Sequence, residues 1–267
     1  MSYDIEEVER AALEDLNAAA TGELAATLRK QSTIAGSAFI SLFAALPVTA
    51  IVVNRTIGLG LSRPETKDTI DAVVDLYAKA SVARYFIHVH PQSRPGEIGD
   101  WLVSRGLEQA RSWMKFRRGR EAPPKVTTTL TIRAAAAEDA ENFGRIVADA
   151  FDLGAAGAPL LARLIGRPDW HIYMSFDGDQ PAGAAALYVK HGIGWLDWAA
   201  TAPAYRGRGS QSALMRRRIL DALDLGCGFI VTATGEEVPG DPQISYKNIL
   251  KMGFEPTYLR KNYAPPK

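Results

Sequence analysis

The chain of 267 residues is long enough for two domains of ordinary size, each with its own core. Its 47% hydrophobic and 23% charged residues are those of a globular protein, and a formal charge of +1 excludes a global bias toward nucleic acid or anionic membrane. The single cysteine, Cys227, excludes an internal disulfide and any cysteine-built metal site, and ahead of the apolar FIV it reads as a small core residue.

The N-terminus, MSYDIEEVER, has neither the basic region nor the apolar core of a signal peptide, which leads us to expect a cytoplasmic protein. Residues 4–30 carry Ile5, Val8, Ala12, Leu16, Leu24 and Leu28 at helical spacing among acids and alanines. The apolar stretch Ile34–Val53 has roughly the length of a bilayer span. It contains Gly36, Ser37, Ser41, Pro47 and Thr49 and lacks a basic flank, so it reads as a buried helix running into a core strand. Asn54–Leu61 then reads as a strand, Glu65–Ala80 as a helix with Ile70, Val73, Val74 and Tyr77 inward, and Arg84–His90 as another strand. GEIGDWLVSRG predicts a short helix and LEQARSWMKFRRG a closing strand. His88 and His90 alternate on their strand with no third ligand in view, which favours a structural role over a metal site.

The run RRGREAPPK, 117–125, is charged and proline-bearing and marks a connector. We therefore divide the chain into 1–120, a linker at 121–126, and 127–267. The second part opens on TTTLTIRAA as a strand, followed by helices in EDAENFGRIVADAF and GAPLLARLIGR. Next come WHIYMSF, AGAAALYV and GWLDWAAT, three strands separated by the turn signals DGDQP and KHG. A helix at 209–225 has Met215, Ile219, Ala222 and Leu223 on one face. The strand CGFIVTAT, a helix around SYKNILKMG and the strand FEPTYLRKNY complete the chain. Trp170, Trp195 and Trp198 read as core residues, one of which could border a pocket.

The halves repeat each other weakly. LVSRGLE at 102–108 aligns with ILKMGFE at 249–255, YFIHV with FIVTA, and the helix at 65–80 with that at 209–225. They differ where the second half has YRGRGSQS and the first has LSRPETKD. A helix start offers unpaired amides and a dipole to an anion, and glycines let the backbone approach it. Gly207 and Gly209 meet that need, Arg206 and Arg208 add charge, and Ser210 and Ser212 add hydroxyls. A glycine pair before a helix, taken by itself, reads as a plain structural turn rather than a site. There is no GK[ST] of a nucleotide P-loop, nor a full G-x-G-x-x-G.

The order strand, AP, glycine turn, amphipathic helix, strand, and short helix with an asparagine before Gly-Phe resembles the GNAT superfamily of acyl-CoA-dependent N-acetyltransferases over nearly all of 127–263. The family loop Q/R-x-x-G-x-G/A is met by Arg206 to Ser210 and departs at Gln211, while its strand E-x-L-x-V-x-P becomes Asp197 to Pro203. With the upstream copy, the chain resembles tandem members in which one copy has lost its cofactor site. The resemblance implies the α/β (α+β) class: two tandem GNAT-like domains, each a mixed twisted sheet flanked by helices, with the acyl-CoA site in the C-terminal copy, where the sheet splays between its fourth and fifth strands. It implies acetyl-CoA as cosubstrate, no metal, and direct transfer to a primary amine. Arg206, Gly207, Arg208, Gly209, Ser210, Gln211 and Ser212 would surround the pyrophosphate. Ala199, Ala200 and Thr201 would pair with the pantetheine arm, which Asn248 would also hydrogen-bond.

For the base, Asp197 replaces the family glutamate, and strand alternation places it with Ala199 and Thr201. Glu236 and Glu237 follow the fifth strand. The leaving-group tyrosine of the family is Ile249 here, so Tyr246, one turn earlier, or Tyr258 would have to serve. The expected acceptor is a small amine or an amino group of a larger molecule, with no nucleic acid or membrane partner, and the chain is expected as a monomer or homodimer. The competing reading is a non-enzymatic acyl-CoA sensor or scaffold.

Overall fold

A computed structural model describes residues 3–267. The elements run α1 (Tyr3–Ala19), α2 (Gly22–Thr27), β1 (Thr33–Ala35), β2 (Ala38–Ser41), β3 (Arg55–Ile57), α3 (Lys67–Lys79), β4 (Phe86–Val89), α4 (Ile98–Ser104) and β5 (Glu108–Arg118). They continue with β6 (Thr131–Ala134), α5 (Ala140–Ala150), α6 (Gly154–Ala162), β7 (Trp170–Asp177), β8 (Gln180–Lys190) and β9 (Ile193–Thr201). The chain closes with α7 (Ser210–Asp224), β10 (Phe229–Gly235), α8 (Ile244–Lys251) and β11 (Glu255–Ala264). Two compact units result: the chain up to Lys115 together with Tyr258–Lys267, and Phe116–Thr257. Residues 119–130 carry no helix or strand.

In the first unit the strands lie in the order β1-β2-β3-β4-β11. β1, β2 and β3 are antiparallel neighbours, and β3 and β4 are parallel, as the crossover through α3 requires. β4 then pairs with the C-terminal strand, Lys261 opposite Val89 and Tyr263 opposite Ile87. The inward residues expected of α3, Ile70, Val73, Val74 and Tyr77, are buried with Ile98 and Leu102 of α4 against Ala38, Ile40 and Ile87.

The second unit repeats the plan. β6, β7, β8 and β9 form an antiparallel meander, and β9 is followed through α7 by the parallel strand β10. α5 and α7 pack on β8 and β9. The repeat read from LVSRGLE and ILKMGFE is thus one of structure: β4–α4–β5 and β10–α8–β11 are the same strand, helix, strand succession, with Gly106 and Gly253 at the same φ of 81°.

One expectation is overturned. Ile34–Val53 forms no helix; it contains the end of β1, all of β2 and a series of turns. Gly36 and Ser37 make the β1–β2 reversal, where Ala35 pairs with Ala38, and Pro47 sits among the turns that follow. The apolar residues are continuous because β2 is buried on both faces, all four of its residues being inaccessible. No helix among the described residues is long and apolar enough to cross a membrane.

Beside the apolar residues that α1 buries, Ile5, Val8, Leu13 and Leu16, the first unit also buries a charge cluster. Glu9 of α1 accepts hydrogen bonds from Arg55 (2.5 Å), Arg260 (2.6 and 3.1 Å) and Lys115, and all four side chains are almost fully buried. Arg260 also reaches both oxygens of Glu6 (3.1 and 3.0 Å), and the Tyr258 hydroxyl donates to Glu6 (2.8 Å). Trp113 lies 5.4 Å from the Arg55 guanidinium and 5.5 Å from that of Arg260. Burial opposes ionisation of Glu9, but the surrounding charges of Arg260, Lys115 and Arg55 outweigh it and hold the carboxyl well below the usual range. Removing one partner from such a cluster leaves uncompensated buried charge. Glu9→Gln should therefore cost about 3–5 kcal/mol in urea unfolding of the first unit at neutral pH. Because the folded-state value is depressed, this stabilisation is present above the unfolded value of about 4.3 and is lost as pH falls below it, a loss that should be smaller in the variant.

Candidate active site

The pairing of β9 with β10 stops early. It runs from Phe229 opposite Ile193 to Val231 opposite Trp195, while β9 continues to Thr201 and β10 to Gly235. At the parting, Thr232 Oγ1 donates to the Leu196 carbonyl (3.0 Å). Beside the freed end of β9 lies a groove of about 560 Å³, within the range of small-molecule sites. Ala199, Ala200 and Thr201 form one wall. Tyr205, Arg206, Gly207, Gly209, Ser210, Gln211 and Ser212 form another, and Ala150, Ile244, Ser245 and Asn248 complete it.

β9 carries a bulge here. Asp197 pairs with Ala186 and Ala200 with Ala184, so Trp198 and Ala199 together face Ala185, and Trp198 takes a φ of +49°. Asp197 and Ala200, paired two residues apart on β8, therefore share a face, whereas Thr201, opposite Gly183, lies on the other. This reverses the strand alternation that grouped Asp197 with Thr201. The Asp197 carboxylate accepts the Trp198 amide (2.9 Å) and the Trp195 indole (3.0 Å), and it is not part of the groove wall.

The glycine loop is built to leave donors exposed. Gly209 is the N-cap of α7, at φ +82° and with no side chain to cap the helix, so the first amides of α7 have no partner within the helix. A Cβ on Gly209 would sit 2.8 Å from the Thr127 carbonyl, whereas one on Gly207 would meet nothing. Thr128 Oγ1 donates to the Arg208 carbonyl (2.7 Å) and supports the loop from behind. Arg208 faces away from the groove, bidentate on Asp177 (2.7 and 2.9 Å) and bonded to Thr129 (3.1 Å). The Arg206 side chain lines the groove and is exposed, with no acceptor among the described residues. Ser210 is buried with its hydroxyl 2.8 Å from that of Ser175. Gln211, where the family motif has a small residue, bridges α7 to α8: its carbonyl accepts from Asn248 (2.7 Å) and its amide donates to Ser245 (3.3 Å).

Of the remaining candidates, Tyr246 packs its ring on Phe116 (4.9 Å) and Glu237 is exposed in the loop after β10; neither lines the groove. Tyr258 lies in the first unit, bonded to Glu6. Two residues escaped the sequence reading. Thr128 had no local signal, whereas Arg218 had one: it falls between Met215 and Ala222 on the buried face of α7. It is almost fully buried and donates to the carbonyls of Ala186 (3.0 Å), Asp197 (3.1 Å) and Leu214 (3.2 Å).

Residues 141–244 match the model of the acetyltransferase (GNAT) family. This segment is similar to the GNAT acetyltransferases. The fold of most of the chain is also shared with solved GNAT structures. A GCN5-related N-acetyltransferase from Kribbella flavida is 16% identical with a TM-score of 0.60, covering 94% of this chain and 96% of its own. Another from Sphaerobacter thermophilus is 14% identical, TM-score 0.60, over 79% and 71%. A tandem GNAT protein from the clavulanic acid biosynthesis pathway is 13% identical, TM-score 0.53, over 79% and 73%. No curated protein matches the chain in sequence. The GNAT segment contains the bulge and the glycine loop and ends at the start of α8.

Both loop glycines of the GNAT segment have a positive φ, which costs a residue with a Cβ about 1–2 kcal/mol. Gly207→Ala should lose about that much in thermal unfolding. Gly209→Ala should lose more, because its methyl also meets the Thr127 carbonyl.

Proposed function

We propose that the second unit transfers an acetyl group from acetyl-CoA to a primary amine by direct attack in a ternary complex. The observation that carries this reading is the groove itself: uncapped helix amides and a free arginine at one end, and at the other a bulged strand whose edge toward β10 is unpaired. The donors fit a pyrophosphate, since an anion at a helix start is held by amides and the dipole together. The freed end of β9 fits a pantetheine arm, which carries amides able to pair with a strand edge.

Bound acetyl-CoA supplies an activated acyl thioester. The chain contributes the rest. Arg206 and the amides of Gly207 to Ser212 hold the phosphates, with Arg208 fixing the loop through Asp177. Asn248 is presented to the pantetheine by Gln211. The amide of Ala199 is the donor we assign to the acyl carbonyl, where negative charge develops; one well-aimed donor contributes roughly 3 kcal/mol. Asp197 holds the bulge through the Trp198 amide, so we assign proton removal from the amine to Glu237 of the loop after β10, acting through water because it does not line the groove. The acceptor is a small amine or an amino group of a larger molecule.

The engagement of Tyr246 with Phe116 leaves no assigned acid for the departing thiolate, and this supports a second reading, an acyl-CoA sensor without turnover. Calorimetric titration with CoA and assay of CoA release over a panel of amines distinguish the two. Binding with release supports the enzyme, binding without release on every amine supports the sensor, and absence of binding rejects both. Arg206→Ala should weaken CoA binding about tenfold, the loss of one charge-assisted contact. Gly209→Trp should abolish it.

A further inference from the structure

Arg218 is a buried cation whose hydrogen bonds go to backbone carbonyls, and the choice of carbonyls is specific. Ala186 and Asp197 are register partners on β8 and β9, the last regular pair before the bulge. At a bulge the ladder is interrupted and backbone groups need partners elsewhere. The guanidinium supplies them to both strands at once from Nη1, while Nε is tied to the Leu214 carbonyl of its own helix. On the other side of the same peptide, the Trp198 amide is held by the Asp197 carboxylate. The peptide joining Asp197 to Trp198 is thus gripped at its carbonyl by Arg218 and at its amide by Asp197. The next residues along the chain, Ala199 and Ala200, line the groove. Burial pushes the guanidinium down to about 10 against the pull of Asp197, so it remains charged at neutral pH.

We propose that Arg218 is a positioning residue that holds the β9 bulge in the shape presenting the amide of Ala199 to an acyl carbonyl. The inference rests on the acyl-CoA reading of the groove. A lysine ammonium lacks the Nε–Leu214 bond that aims Nη1 at the two strands, and an apolar side chain leaves both carbonyls unsatisfied.

The test uses the full chain and carbonyl-labelled acetyl-CoA, followed by isotope-edited infrared spectroscopy, because the acyl carbonyl stretch reports the hydrogen bond directly and needs no acceptor. In the wild type the bound carbonyl band should move to lower frequency than in free acetyl-CoA. Arg218→Lys should keep part of that shift and Arg218→Met should lose it, while both variants still bind acetyl-CoA through the loop before α7. A full wild-type shift in Arg218→Met would overturn the proposal. Should that variant fail to fold, a full shift in Arg218→Lys would overturn it equally. An unshifted band in the wild type rejects the role of the bulge but leaves the CoA site standing, whereas a wild type that does not bind acetyl-CoA at all rejects the site and the proposal together.

Discussion

The second unit depends on the point where β9 and β10 cease to pair. Parallel strands bury their backbone groups in each other, and once the ladder ends after Val231 and Trp195 the continuing edge of β9 needs another partner. The bulge at Trp198 follows directly and turns the strand, so that Ala199, Ala200 and Thr201 border the groove. The uncapped start of α7 stands at the other end of the same wall. Bulge and helix start are linked through one helix, because α7 both begins at Gly209 and carries Arg218 to the carbonyls flanking the bulge. A displacement of α7 would disturb the glycine turn and the bulge, the two ends of the groove, together.

The first unit shows the same plan put to another use. Its loop before α3 is closed upon itself: Glu65 accepts the Ser37 amide (2.6 Å), Ser37 Oγ accepts the Gly60 amide (2.8 Å), and Thr66 caps α3 through the Thr69 amide. The donors that α7 leaves open are satisfied here by the chain's own oxygens, and a buried carboxylate stands where charge on an anion would be repelled. Next to the buried apolar residues of α1 stand two glutamates and three cations. Such a cluster gives little net stability over apolar packing, but it tolerates no missing partner, and it ties Arg260 of the C-terminal strand to α1.

Much of this was legible in the residues. The helix with Ile70, Val73, Val74 and Tyr77 inward, the three-strand meander, the glycine turn before α7 and the internal repeat each rest on local patterns that the fold preserves. Ile34–Val53 was misread because a strand buried on both faces and a buried helix have the same continuous apolar composition, and periodicity cannot separate them. The placement of Asp197 was misread for a different reason. Alternation holds only along a regular strand, and the bulge at Trp198, a non-glycine residue at positive φ, has no signature in the sequence.

The sequence by itself determined most of the order of elements, the resemblance of the second half to GNAT proteins and the glycine turn before α7, because these follow from short-range spacing: glycines that admit positive φ, apolar residues at helical period, turns between strands. Tertiary structure alone decided which strand edge was freed, that Arg208 serves Asp177 while Arg206 faces the groove, that Gln211 joins Asn248, and that the C-terminal strand completes the first unit. Each of these depends on pairing between residues far apart in the chain. Such pairing is set by what else is available to satisfy a buried backbone group or charge, and no local window contains that information.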